Sequence, residues 1–483
     1  MVWSRVWMCC AAKPQRVARR WRPLLLVWGS AALVGCGGGS SPGPEASDPV
    51  APPVSRQAVY VQEGGAGAAQ LWRADDGSAF GPQAAGGIVQ VALTPDGRTA
   101  VLLARAEAGG DAAIYRVDQD QPADRVRLTP APAHGGEVHR FALSPGGSYL
   151  VYSGTLAQAG SRTAALIGLD GGTPLRQYDI LPDVVDHDLA AADPWSADGH
   201  YVAVARTNRA LGHRFLLYLD GPEVLRDLDI RHDNPTDIAL THWMPQGHTL
   251  LYAEDTLGDG AHVLKRKTAG EPAIMTLGPT LPQGSGVLAV RASPDGRWLA
   301  VRLRAGTSTP DRLVLTDIDA ASETVLAEQV GEFGFSADGS RVVYVHRPSG
   351  LLRQIPVLDP TADATTVNAP LAAGVAVLDF RIGEAGTVYR AGVPQPGEAA
   401  GAALYLARPG EAAIALSPAG VAGATVRADY RFSQDGASLV YRADLRRAGR
   451  VELFGTHLEA AGMATPLSGD AVPGGDVTSF AIW

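Results

Sequence analysis

Short apolar runs separated by polar turns follow one another along the chain from about residue 57. Three examples, rich in valine and tyrosine, cover residues 149–152, 341–344 and 438–441. β-Branched and aromatic residues in a short run bounded by turn residues favour buried β-strands. No segment shows the period of an amphipathic helix over a helix-sized length. The pattern therefore predicts an all-β chain.

A four-residue turn of the form Ser-Pro-Asp-Gly recurs between these runs. Its copies occupy residues 94–97, 144–147, 196–199, 244–247, 293–296, 336–339 and 433–436. An eighth, degenerate copy covers residues 380–384 and is placed by aligning Tyr389 with Tyr441. Serine can hydrogen-bond the backbone two residues on, proline sets φ, and glycine adopts the left-handed conformation that closes a hairpin. Each copy therefore predicts a strand–turn–strand unit.

The spacing of these units identifies an architecture. From Gly97 to Gly436 the last turn position recurs every 48 residues or so, which fits one four-stranded blade of a β-propeller. The turn at 293–296, with the run 297–301 after it, resembles the repeat of TolB-like propellers. The resemblance covers nearly all of residues 57–483. It implies the fold and not the TolB role, because no α/β domain precedes the repeats and the units outnumber six blades.

The two ends of the repeat region complement each other. Residues 477–483 resemble residues 138–144, a first strand that stops before its turn. Residues 58–61 resemble a second strand without its first. Together they predict one blade split between the termini, which closes the ring. We therefore expect a single propeller of nine four-stranded blades, with eight as the alternative, since common propellers have about four to eight.

The N-terminus has the layout of an export signal. Residues 1–35 contain six basic residues and no acidic ones, and residues 23–34 form an apolar stretch shorter than the roughly 20 residues that span a bilayer. Leu33, Val34, Gly35 and Cys36 resemble the lipobox of bacterial lipoproteins. That resemblance implies cleavage before Cys36 and acylation of its thiol. The alternative is a plain signal peptide with an incidental cysteine.

Three segments follow from this reading: a lipoprotein signal peptide (1–35), a Gly/Ser/Pro-rich tether (36–56) and a TolB-like propeller (57–483). Glycine and serine make the tether flexible. The lipoprotein resemblance also implies sorting to the outer membrane, because Gly37 and not aspartate follows the cysteine. We expect the mature protein to face the periplasm and to contact the membrane through its lipid alone. With Cys36 as its only cysteine, it has no internal disulfide.

Charge and composition narrow the partners. Beyond residue 35 the chain carries 35 basic and 50 acidic residues, whereas a polyanion binder gathers lysine and arginine into a positive stripe. Nucleic acid is therefore not an expected partner. Hydrophobic residues make up 46% of the chain, which excludes a mostly disordered protein.

Motifs for common enzyme chemistry are missing from the sequence. We find no nucleophile elbow, metalloprotease helix, phosphate-binding loop or paired-cysteine zinc spacing, and we assign no catalytic residue. Peptidases with related propellers add a separate hydrolase domain, for which these 483 residues leave no segment. An ordinary hydrolase is not expected.

One group of residues offers a metal or ligand site. The loops that join three consecutive pairs of blades are expected to hold His134, His187 and His232. Acidic neighbours accompany them, namely Glu137, Asp186, Asp188 and Asp233. Imidazole and carboxylate groups that converge can bind a divalent metal or a polar ligand, and some TolB-like propellers that cleave acidic sugars hold a metal by loop histidines. The alternative is that all are solvated loop residues.

The expected function is therefore that of a lipid-anchored envelope protein whose propeller is a non-enzymatic binding scaffold. Its partner would be an envelope protein or a cell-wall component, and no cofactor is required. The alternative is a metal-assisted lyase or hydrolase acting on acidic polysaccharide, with a divalent metal on the loop histidines.

Overall fold

Every regular element in the described part of the chain is a β-strand. The computed structural model describes residues 58–64, 67–132, 135–156, 162–171, 174–177, 186–189, 193–208, 213–220, 227–229, 237–255, 261–269, 271, 273–277, 285–304, 306, 309–320, 322–459, 463–469 and 475–482. These residues confirm the predicted all-β class. Cys36 and the first 57 residues lie outside them.

The strands form nine antiparallel sheets, eight of four strands and one of three, within the described residues. Sheet 1 contains β1 (Ala58–Glu63), β2 (Ala69–Arg73) and β35 (Asp476–Ile482). Sheet 2 contains β3 (Ile88–Leu93), β4 (Thr99–Arg105), β5 (Ala112–Asp118) and β6 (Val126–Arg127). Sheet 3 contains β7 (Val138–Leu143), β8 (Tyr149–Gly154), β9 (Thr163–Gly168) and β10 (Arg176–Gln177). Sheet 4 contains β11 (Asp186–Leu189), β12 (Tyr201–Asn208), β13 (His213–Asp220) and β14 (Asp227–Asp229).

The remaining five sheets repeat the four-stranded plan. Sheet 5 contains β15 (Asp237–Trp243), β16 (Thr249–Asp255), β17 (Val263–Thr268) and β18 (Ile274–Leu277). Sheet 6 contains β19 (Gly286–Ala292), β20 (Trp298–Arg304), β21 (Arg312–Asp317) and β22 (Ser322–Glu328). Sheet 7 contains β23 (Val330–Phe335), β24 (Arg341–His346), β25 (Leu351–Pro356) and β26 (Thr365–Thr366). Sheet 8 contains β27 (Ala376–Gly383), β28 (Gly386–Val393), β29 (Ala400–Ala407) and β30 (Ile414–Ala415). Sheet 9 contains β31 (Arg431–Phe432), β32 (Ser438–Ala443), β33 (Glu452–His457) and β34 (Thr465–Pro466).

Sheet 1 joins the two ends of the repeat region. β35 pairs antiparallel with β1, with Val59 opposite Ala481, so the predicted exchange of a C-terminal first strand is confirmed. The nine sheets equal the number of predicted units. Nine blades around one channel stay a prediction, because residues 230–236, which connect sheets 4 and 5, lie outside the described residues.

The first strands of successive sheets lie side by side. β35 contacts β3, β15 contacts β19, β19 contacts β23, and β23 contacts β27. Up-and-down sheets that meet along their first strands are the arrangement of a β-propeller, in which these strands line the central channel. The fold class predicted from the sequence is therefore confirmed.

The hairpin turns show how the repeated motif folds. In sheet 7 the Gly339 amide donates to the Ser336 carbonyl oxygen at 2.8 Å, and Gly339 has φ of 70°. The Ser336 hydroxyl accepts from the Arg341 amide at 3.0 Å, and Asp338 accepts from the Ser340 amide at 3.0 Å. The predicted serine bond to the backbone two residues on is therefore wrong, because the Ser336 hydroxyl donates to the Asp338 carboxylate instead. The aspartate carboxylate accepts the backbone amide two residues on, and the serine oxygen accepts the amide five residues on.

Successive turns also pack against each other. A Cβ atom at Gly147 would lie 2.6 Å from Cδ of Pro95, the proline of the preceding turn. At Gly199 and Gly339 the corresponding distances to the preceding proline are both 3.3 Å. A Cβ at Gly436 would meet no atom within 4 Å, because the preceding turn is the degenerate one in sheet 8. We call this series of stacked turns the turn ring.

A buried tyrosine on the second strand fixes the register of most sheets. Tyr389 lies opposite Phe380, and Tyr441 lies opposite Tyr430 by extension of the register that places Val440 against Arg431. Both tyrosines are fully buried. The alignment of Tyr389 with Tyr441 is therefore confirmed, but the turn predicted at residues 380–384 is wrong, because residues 380–383 continue β27 and the hairpin turns at residues 384 and 385. The packing of apolar surface between adjacent sheets supplies the main stabilisation.

Candidate functional site

The predicted histidine site lies largely outside the described residues. His134, His232 and Asp233 are among the residues that the structure does not describe, as is Cys36. Asp186, His187 and Asp188 were expected in a connecting loop, but the backbone places them in β11, with His187 opposite Arg206. That loop position is wrong because the strand begins earlier than the turn spacing suggests. Among described residues, no three His, Cys, Asp or Glu side chains are grouped to hold a metal ion.

The described residues also contain no helix long and apolar enough to cross a membrane.

An open cavity lies where the first strands of sheets 6 to 9 approach their turns. Its volume is about 570 Å³, within the range of small-molecule sites. The lining residues are Arg291 of β19, Glu332, Phe333 and Gly334 of β23, Phe380, Arg381 and Ile382 of β27, and Arg431 and Phe432 of β31. We call it the channel-mouth cavity.

The repeat places these side chains together. Arg291, Gly334 and Arg431 each lie two residues before the first residue of their turn. Arg381 occupies the same register, because Phe380 lies opposite Tyr389 in sheet 8. Residues at equal register on adjacent first strands point into the same level of the channel. Four neighbouring sheets therefore present arginine, glycine, arginine and arginine at one level.

Each arginine lies over an aromatic ring of the next sheet. The Arg291 guanidinium carbon lies 6.0 Å from the centre of the Phe333 ring. Arg381 lies 5.3 Å from the Tyr430 ring. Arg431 of β31 lies 5.6 Å from the Phe480 ring of β35. Cation–π contacts of this kind hold a guanidinium in place while leaving its charge unneutralised.

Glu332 is the carboxylate among these cations. Its Oε2 accepts a hydrogen bond from the Phe380 amide at 3.2 Å. Burial raises the pKa of Glu332, and the Asp379 carboxylate raises it further, whereas the Phe380 hydrogen bond and the charges of Arg381 and Arg291 lower it. The Glu332 carboxylate can accept a hydrogen bond from a ligand. It offsets only part of the positive charge of the surrounding arginines.

Two other acidic groups near the cavity are already paired. Arg390 of β28 donates through Nε to Asp379 Oδ2 at 2.9 Å and through Nη1 to the Val426 carbonyl oxygen at 3.0 Å. In sheet 9, Arg442 holds Asp429 at 2.6 Å. These second-strand arginines connect each sheet to the next. Paired in this way, their carboxylates offset only part of the charge of the arginines that face the channel.

A second cavity, of about 520 Å³, opens between sheets 7 and 8 beside the degenerate turn. Its charged lining residues are Asp338, Arg341, Glu384, Arg408 and Glu411. Arg408 already bonds Glu411 at 3.7 Å and the Leu458 carbonyl oxygen at 3.1 Å. Mixed signs and internal pairs make this groove a weaker candidate than the channel-mouth cavity.

Two tryptophans beside the turns are structural. The Trp195 indole N–H donates to the Ala142 carbonyl oxygen at 3.1 Å, and the Trp243 indole N–H donates to the Pro194 carbonyl oxygen at 2.8 Å. Both side chains are buried. They tie each first strand to the preceding sheet and present no surface to a sugar.

The arginine cluster was missed in the sequence. Its signal is the residue two positions before each turn, which is arginine in three of the four copies around the cavity. That signal appears only after the copies are aligned by strand register. The turn of sheet 8 lacks the Ser-Pro-Asp-Gly motif, so the sequence does not show that Arg381 occupies the equivalent position.

Comparison with solved structures supports the fold. Over 80% of this chain, the structure is similar to dipeptidyl peptidase 4 of Porphyromonas gingivalis, with a TM-score of 0.54 and 13% identity. The chain spans 60% of the length of that peptidase. At this identity the likeness shows the β-propeller fold alone.

Weaker similarities reach other propeller-sized chains. A TolB protein of Agrobacterium tumefaciens matches 56% of this chain and 89% of its own, with 15% identity and a TM-score of 0.32. An oligogalacturonate lyase in complex with manganese matches 76% of this chain and 88% of its own, with 13% identity and a TM-score of 0.42. Neither likeness is close enough to transfer a function. No protein-family model and no curated protein matches the sequence.

Proposed function

We propose that this protein is a non-enzymatic binding module of the cell envelope, lipid-anchored through Cys36, whose channel-mouth cavity receives its ligand or partner. The observation that carries the binding role is the cavity itself. The first strands of sheets 6, 8 and 9 hold exposed Arg291, Arg381 and Arg431 over aromatic rings. A site built on paired strands is preorganised, so little conformational entropy is lost when a ligand binds.

The anchor rests on the sequence. The Leu33–Cys36 segment resembles a lipobox, and the Gly/Ser/Pro-rich residues 36–56 are the predicted tether. Stable anchoring needs several acyl chains, since each buried CH₂ contributes about 0.8 kcal/mol. Membrane association would then be insensitive to salt, unlike attachment through surface charges.

Cell fractionation tests the anchor. Cys36→Ala should move the protein from the outer-membrane fraction to the soluble fraction. Cys9→Ala is the matched control, because Cys9 leaves with the signal, and it should not change the distribution. A Cys36→Ala protein that stays in the membrane at high salt contradicts the anchor.

Site-specific photo-cross-linking tests the binding role. A benzoyl-phenylalanine residue at Ile382 of the cavity should capture one defined species in intact envelopes. The matched control carries the same probe at Val89, an exposed apolar residue of sheet 2. Adding Gly334→Leu should abolish the Ile382 adduct by filling the cavity. An adduct that forms equally at Val89, or that survives Gly334→Leu, contradicts the assignment of this cavity.

The alternative function, a metal-assisted lyase or hydrolase on acidic polysaccharide, rests on His134, His187 and His232. Elemental analysis of full-length protein purified without chelator or affinity metal separates the two. The binding module should contain no stoichiometric metal. About one metal per chain, lost in both His187→Ala and His232→Ala, would favour the enzyme and make Asp186, Asp188 and Asp233 the next positions to test.

A further inference from the structure

We infer that the channel-mouth cavity binds a small polycarboxylate, whose carboxylate groups are held by Arg291, Arg381 and Arg431. The inference rests on the proposed role of this cavity and names the ligand class that its chemistry selects.

The first reason is that the three arginines lack carboxylate partners. None of them forms a salt bridge within the described residues, whereas Arg390 and Arg442 do. Arg291 donates one hydrogen bond from Nη1, to the Val290 carbonyl oxygen at 2.9 Å. A guanidinium has five N–H donors, so most donors of this cluster are open to a ligand. Their planar fork matches a carboxylate in bidentate geometry.

The second reason is that the cluster is electrostatically incomplete. The Arg431 side chain is exposed at the cavity, but the protein around its guanidinium partly desolvates the charge and lowers its pKa. The neighbouring charge of Arg381 lowers the pKa further, while Asp429 opposes both. Glu332 is the acidic residue among those that line the cavity. An anion bound between the arginines would relieve their mutual repulsion and stabilise the folded protein.

The third reason concerns the size and shape of the ligand. Gly334 lies between Arg291 and Arg381 at the same level of the channel and has no side chain, so the charges surround a gap. A ligand that reaches all three must distribute its anionic groups over a carbon skeleton. Ile382 and Phe432, which line the cavity and are partly exposed, give that skeleton apolar contacts. Glu332 can accept a hydroxyl or amide N–H of the same molecule.

The rest of the chain disfavours long polyanions. Beyond residue 35 acidic residues exceed basic ones by 15, so the wider surface repels a nucleic acid or an extended acidic polymer. A small ligand inside the cavity lies close to the arginines and contacts less of the acidic outer surface than a long polymer does.

Isothermal titration calorimetry of the full chain in detergent tests the inference, with citrate as the probe at low salt. Citrate should bind, and Arg381→Gln and Arg431→Gln should each weaken it about tenfold, the effect of losing charged hydrogen bonds. Arg125→Gln is the matched control, because Arg125 also lies over an aromatic ring, that of Tyr115 at 5.4 Å, outside the cavity. It should keep the wild-type affinity.

Gly334→Leu provides a second variant that leaves every charge in place. A Cβ at Gly334 would lie 3.4 Å from Ile382 Cδ1, an ordinary contact, and φ there is not in the left-handed region, so we expect the variant to fold. It should lose citrate binding through loss of space alone. Unchanged citrate affinity in this variant would overturn the cavity as the site.

Inorganic phosphate separates the ligand classes. Phosphate as tight as citrate would overturn the polycarboxylate assignment, because one compact anion would then satisfy the cluster. Absent citrate binding with an intact Ile382 cross-link would overturn this inference and leave the binding role standing. Absent citrate binding without a specific cross-link would refute both.

Discussion

The first strands of sheets 2 and 3 and those of sheets 6 to 9 share one backbone plan and differ two residues before the turn. At that position the first group has Ala92 and Ala142, whereas the second has Arg291, Gly334, Arg381 and Arg431. The difference teaches that one position per repeat can add positive charge to the channel wall without a change of backbone. The fold supplies the positions, and the site depends on which side chains occupy them.

The two regions also differ in how neighbouring sheets are connected. In sheet 8 the second-strand residue opposite Asp379 is Arg390, which crosses to the Val426 carbonyl of the next sheet. In sheet 2 the corresponding residue is Leu103, opposite Gln90, and it is fully buried in an apolar cluster. At this position an ionic connection supports sheet 8, and apolar packing supports sheet 2.

Removing one ionic connection should have the largest effect. Arg390→Ala leaves the Asp379 carboxylate without its partner, and the Arg390 side chain is 11% exposed. We expect the free energy of unfolding to fall by about 3 kcal/mol. Denaturant titration of the full chain measures it. Arg312→Ala, which breaks the exposed pair with Glu328, is the control and should cost less than about 1 kcal/mol. Equal losses would refute the distinction.

Acid should destabilise sheet 5, which lies between the two regions along the chain, through His242 of β15. Burial lowers the pKa of His242 to about 4, with a smaller effect from Arg291. The unfolded chain therefore takes up a proton at about pH 6.5 that the folded protein refuses until about pH 4. His242 therefore has no effect on the pH dependence of the free energy of unfolding above pH 6.5, and it lowers that free energy as the pH falls from 6.5 towards 4.

His242→Gln tests that pH dependence. Between pH 7 and pH 4 the wild type should lose about 2 kcal/mol more stability than the variant. Thermal unfolding of both proteins across this range measures the difference. His139→Gln, which replaces an exposed histidine of β7, is the matched control. Parallel stability curves for wild type and His242→Gln would show that burial of His242 has no such effect.

The turn ring gives a smaller, paired comparison. Gly147→Ala should cost about 1 kcal/mol for its positive φ and a further amount for the contact with Pro95 at 2.6 Å. Gly436→Ala has a similar φ, 67° against 71°, and meets no atom within 4 Å. Chemical denaturation should therefore show Gly147→Ala to be the less stable by about 1 kcal/mol. Equal stability would mean that the turns do not pack.

The smallest expected effect should have the same direction in both regions. Hydrogen bonds from Ser336 and Ser340 lower the pKa of Asp338 to about 2, and a hydrogen bond from Thr94 lowers that of Asp96. Each contributes stability above pH 4 that is lost as the pH falls further. Asp338→Asn and Asp96→Asn should both reduce this acid sensitivity, seen as shifts in the melting temperature below pH 4, with the larger shift for Asp338→Asn because the Ser340 hydroxyl also bonds that carboxylate. A shift in only one of the two variants would contradict a common role for the turn aspartates.

Periodic features of this molecule could be predicted from the sequence. The turn motif and the residues around Tyr389 and Tyr441 repeat often enough to give the sheets, their register and the exchange of β35. Features that depend on contacts between repeats could not. Arg381 faces Tyr430 of the next sheet, and nothing in its own repeat marks it. The start of β11 was misplaced for a related reason, since a strand boundary depends on its partner strand more than on local spacing.

The exchanged strand has a consequence for timing. β1 is made first and β35 last, and Val59 pairs with Ala481 across almost the whole repeat region. A ribosome that adds about 5–20 residues per second keeps this edge strand waiting for its partner throughout synthesis. Contacts so distant in sequence form slowly. The edge of β1 that pairs with β35 therefore stays unpaired until the last residues have been synthesised. A chaperone that protects this edge would bind the N-terminal strand.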